Sequence, residues 1–97
     1  MKESRVREAL KLAFAAGARR DYHTAARLLE EIITETEAPS ETYLLLGRSY
    51  HALGDYPRAL LAFKDFLRYK PHSAQGLFFA GRSYLALGMI DEGYSAY

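Results

Sequence analysis

Along most of the chain, apolar residues return at spacings of three and four. Leu28, Leu29, Ile32 and Ile33 form one stripe, with Glu30, Glu31, Glu35 and Glu37 on the other side of it. A helix gathers the first set onto a buried face and the second onto a solvated one. Farther on, Tyr43, Gly47 and Tyr50 interleave with Leu46, Tyr50 and Leu53 in the same way. Period-two alternation is absent and helix-forming Ala, Leu, Arg and Glu dominate, so no strand is predicted. The pattern predicts six helices: Ser4–Gly17, Tyr22–Thr36, Glu41–Leu53, Tyr56–Tyr69, Ala74–Leu87, and Ile90 to the end.

The breaks between stripes are equally regular. Gly54 and Gly88 supply permissive backbone where a helix must turn. Asp21 and Asp55 stand where a carboxylate can accept from the opening amides of the next helix, and Pro57 falls in a first turn, where its missing donor costs little. Ser40 and Ser73, close to Pro39 and Pro71, are the expected caps of the third and fifth helices.

The pattern also repeats. Residues 47–54 read Gly-Arg-Ser-Tyr-His-Ala-Leu-Gly and residues 81–88 read Gly-Arg-Ser-Tyr-Leu-Ala-Leu-Gly, a step of 34 positions. The same step carries Asp21-Tyr22 onto Asp55-Tyr56, Ala25 onto Ala59 and Leu29 onto Phe63. Small residues recur at two positions, Ala13, Gly47 and Gly81 at one and Ala25, Ala59 and Gly93 at the other, which lets the two helices of a hairpin approach closely.

One unit runs Tyr43, Leu46, Gly47, Tyr50, Gly54, Tyr56, Ala59, Phe63, Pro71. This resembles the tetratricopeptide repeat, a helix-turn-helix of about 34 residues. The resemblance implies an all-α fold, an α-α superhelix of stacked hairpins. Residues 6–39 form a divergent first unit, 40–73 a full second and 74–97 part of a third. The first keeps Leu12, Ala13, Ala16, Tyr22, Ala25 and Leu29, but has Arg20 in place of the turn glycine and Pro39 two places late. The third keeps Leu77, Ala80, Gly81, Tyr84 and Gly88, with Gly93 and Tyr97 where Ala and Phe are usual.

Composition narrows the function classes. At 97 residues, 49% apolar and 26% charged, the chain is one ordinary globular domain rather than a disordered segment or a coiled coil. A net charge of +1 with interspersed signs argues against nucleic acid or an anionic membrane as the main partner. Tyr43, Tyr50, Tyr56 and Tyr84 sit at packing positions of the repeat, so they are expected in the core rather than stacked on bases. The N-terminus lacks an apolar signal run and no stretch approaches the roughly 20 apolar residues of a membrane span, so a cytoplasmic location is expected.

Catalytic chemistry finds no anchor. Cysteine is absent; His23, His51 and His72 lie in separate segments without zinc-ligand spacing; and no phosphate-cradling glycine loop or Gly-x-Ser-x-Gly elbow occurs. The expectation is a non-enzymatic protein with no cofactor and no metal.

In tetratricopeptide proteins the first helices of successive units line a concave groove that receives a segment of a protein partner. Mapped here, the resemblance implies a groove of Arg7, Leu10 and Phe14, then Glu41, Leu44, Leu45, Arg48 and His51, then Gln75, Phe78, Phe79 and Arg82. Cochaperones of the family that hold the C-terminal carboxylate of heat-shock chaperones use a lysine and an asparagine, an asparagine, and a lysine and an arginine across three repeats. The matching positions here hold Leu10 and Phe14, Leu45, and Gln75 and Phe79, so that clamp is absent. Such a groove should prefer an apolar or amphipathic segment, oriented by a carboxylate near Arg48 or Arg82. A second expectation is self-association through the end of the array, where Tyr84, Leu87, Ile90, Tyr94 and Tyr97 lack a covering helix unless the chain is a piece of a longer array.

Overall fold

A computed structural model describes residues 2–35 and 38–88 of the chain. These form α1 (Lys2–Ala18), α2 (Tyr22–Glu35), α3 (Ser40–Ala52), α4 (Tyr56–Tyr69) and α5 (Ala74–Ala86), with no strand among the described residues. The sixth expected helix, from Ile90, lies outside the described residues. Each helix packs on the next in sequence and α3 also touches α5, so the array grows along one direction to 44 × 25 × 19 Å. Among the described residues, no helix is long and apolar enough to cross a membrane.

The expected stripes are the buried ones. Ala13 of α1, Ala26, Leu29 and Ile32 of α2, Leu46 of α3 and Ala62 of α4 form one cluster, and Ala59, Leu60 and Phe63 of α4 with Ala80 of α5 form a second. Tyr50 of α3 packs against both and joins them. The small residues are required by close approach: a Cβ added at Gly47 would stand 2.5 Å from the ring of Phe63, which is wholly buried.

Turns and caps follow the sequence with one correction. The Asp55 side chain accepts from the Arg58 N–H at 3.3 Å, Asp21 does the same for Thr24 at 3.3 Å, and Ser73 Oγ accepts from Gly76 at 3.2 Å. Gly54 and Gly88 take left-handed φ values of +80° and +79°. Ser40, however, is the first helical residue rather than the cap. Pro39 occupies the cap position without a side-chain hydrogen bond, and its carbonyl, released by an extended ψ of 151°, accepts from Thr42 at 3.0 Å. Leu12, which shares a repeat position with Leu46, is 58% exposed. Leu46 is covered by α2 and its cluster, whereas among the described helices α1 has no preceding helix to lie against.

Candidate functional site

Where α1, α2, α3 and α5 converge, the array encloses a hollow of about 440 Å³, within the roughly 300 to 1,000 Å³ of ligand sites. Phe14 reaches it from α1, Leu45, Arg48 and His51 from α3, and Phe79 from α5. Residues at spacings of three and four on α3 share one face, which is why Leu45, Arg48 and Ala52 line the same wall. The floor is made of small residues, Ala13, Gly17 and Ala18 of α1 among them. Their lack of bulk is what leaves the space.

Of the residues that the sequence placed on the groove side, five therefore meet at this hollow. The others do not line it. Arg7, Glu41 and Gln75 are exposed on α1, α3 and α5; Leu10 packs against the first cluster and Leu44 against the second. Phe78 and Arg82 lie beside it on α5, Phe78 being 43% exposed. The floor was missed because Gly17 and Ala18 read as a helix end; the run Ala15-Ala16-Gly17-Ala18, without a large side chain, was the available signal.

Aromatic rings and cations are interleaved along the wall. Phe79 stacks on buried Phe63 at 5.4 Å and 13°, and meets Phe78 edge-on at 5.4 Å. The guanidinium of Arg48 lies 5.4 Å over the Phe79 ring and that of Arg82 lies 5.5 Å over Phe78. His51 stands edge-on to Tyr56 at 5.1 Å and to Phe79 at 6.5 Å. Burial, and secondarily the positive charge of Arg82, hold its imidazole pKa below the usual histidine value. Among the described residues no Asp or Glu lines the hollow, and neither Arg48 nor Arg82 takes part in an ion pair. The arrangement offers an apolar recess with cationic edges and, among the described residues, no group of three potential metal ligands.

Another hollow opens between α2 and α4, over α3, lined by Ile33, Leu46 and Leu61 with the polar groups of Glu30, Arg58 and Asp65. There the Tyr50 hydroxyl donates to Glu30 Oε1 at 3.0 Å, which together with burial raises the phenol pKa. At the end of the array, Tyr84 is half-buried beneath the Lys64 ammonium at 5.5 Å and Leu87 is 36% exposed. Ile90, Tyr94 and Tyr97 lie outside the described residues.

Comparison with known proteins agrees with this architecture. The structure is similar to the crystal structure of PcrH in complex with the chaperone binding region of PopB, with a TM-score of 0.91 at 20% identity over 99% of this chain and 77% of that one. No curated protein matches. Residues 18–97 match the family described as anaphase-promoting complex, cyclosome, subunit 3. The chain thus belongs to that family, and its helical hairpins are tetratricopeptide-type repeats.

Proposed function

We propose that this chain is a non-catalytic adaptor that holds an apolar or amphipathic segment of a protein partner in the hollow between α1, α2, α3 and α5. The observation that carries the reading is the hollow itself: a recess of about 440 Å³, walled by Phe14, Leu45 and Phe79 and floored by small residues. It is open to a side chain and free of catalytic groupings in its lining. The similarly folded PcrH, crystallised with the chaperone binding region of PopB, supports the reading by analogy of fold. Apolar area covered by the segment supplies affinity at about 25 cal/mol per Å², less the cost of ordering it.

The test is capture of proteins from native extract by the parent chain and by an Arg48→Glu, Phe78→Glu double variant of unchanged helical circular dichroism. A partner held by the parent and released by the variant is the expected result. Identical capture by both, or capture by neither, overturns the assignment of this face.

A further inference from the structure

We infer that the groove reads an acidic side chain next to the apolar anchor of its partner segment, the carboxylate being taken by the guanidinium of Arg48 over Phe79, with Arg82 over Phe78 beside it. This rests on the groove being the binding face and adds which segments it selects.

Three observations converge. The two guanidiniums lie over rings at 5.4 and 5.5 Å, and those rings meet each other at 5.4 Å, so the cations form part of one connected wall. A guanidinium held over a ring is attracted there through its charge, and its planar fork of N–H donors matches the two oxygens of a carboxylate. Among the described residues neither arginine takes part in an ion pair: the pairs there join Arg58 to Asp55 and Arg68 to Asp65, both within α4 or its cap, and no described carboxylate lines the hollow. Charge complementarity therefore selects an anion, and the planar fork favours a carboxylate over a point contact. A lysine in the partner would instead meet two like charges and be disfavoured. Because Phe79 also walls the recess, an apolar side chain seated there places its neighbour in the segment beside Arg48.

A phage library of random short peptides, selected on the full chain, supplies the probe. The expected outcome is convergence on an apolar residue with Asp or Glu at a fixed neighbouring position. A synthetic peptide of that sequence should lose about tenfold in affinity when its acid is changed to Asn or Gln. In Arg48→Gln or Arg82→Gln that same change should matter by about twofold or less, closing a double-mutant cycle. Arg48→Lys, which keeps the charge without the planar fork, should fall between parent and Arg48→Gln.

If neutralising the acid leaves affinity unchanged, or costs the same in the arginine variants, the acid reading is overturned. The groove reading then stands provided Phe14→Ser, at an exposed position, still abolishes binding. If recovered peptides bind Phe14→Ser as well as the parent, or none is recovered, both readings fall.

Discussion

Phe66 and Gly76 show how one residue sets another. A Cβ on Gly76 would stand 2.8 Å from the Phe66 ring, which is itself in the core. The equivalent positions one repeat earlier hold Ile32 and Thr42, a smaller hydrophobe with a larger neighbour, so volume is exchanged across the same position. Gly76→Ala should therefore cost about 1 kcal/mol in urea unfolding, since a clash of about 1 to 3 kcal/mol outweighs the helix propensity gained. Adding Phe66→Ile should recover much of that loss, with a coupling of about 1 kcal/mol. Arg20 is a second case. It takes the left-handed φ of 63° in the turn after α1, with its N–H on Gly17 at 3.0 Å and that of Asp21 on Ala16 at 2.8 Å. That strain was legible in the sequence, because Arg20 stands where its counterparts are Gly54 and Gly88. Arg20→Gly should raise stability by about 1 kcal/mol, seen as a higher urea midpoint. His51, depressed by burial and then by Arg82, faces Arg48 on its own helix, Tyr22 and Tyr56 on its neighbours and Arg82 on α5. The unfolded chain binds its proton more readily, so stability should decline as pH falls below about 6.5 and level off once the folded value is passed. An NMR titration of the His51 ring proton locates that value, and His51→Gln should remove this part of the pH dependence.

At the scale of the element, stability follows how many sides of a helix are covered. α3 lies between α2 and α4 and touches α5, whereas among the described helices α1 packs chiefly on α2. Amide exchange should therefore be fastest in α1 and slowest in α3 and α4; equal protection of α1 and α3 by mass-spectrometric exchange would contradict this. Helices were legible because each stripe is bounded by a chemical stop, Asp55 and Pro57 before one and Gly54 after another. Ser40 misled because a serine after proline satisfies the same rule as a cap, and only the backbone shows Pro39 taking that place. Leu12 and Leu46 share a repeat position and differ in burial. A repeat pattern assigns residues to positions, but burial needs a neighbouring helix, and position alone does not provide one.

On the scale of the whole molecule, packing mainly between successive helices produces the elongated shape of 44 × 25 × 19 Å and leaves the face that carries the recess. The sequence brought this face within reach through the repeat. It could not show which side chains share the recess, since that depends on helix crossings and on the bulk missing at Gly17 and Ala18. The stack of Phe63 against Phe79 has one last consequence. Phe63 belongs to the second core cluster and Phe79 lines the recess, so the proposed binding surface has no foundation separate from the core. A peptide at about one hundred times its dissociation constant should stabilise the chain by about 2.7 kcal/mol, measurable as a shift in unfolding midpoint. Conversely, a variant found by screening for altered partner choice should often prove to be a stability variant as well. In this array, heritable change in specificity and heritable change in folding draw on the same few rings.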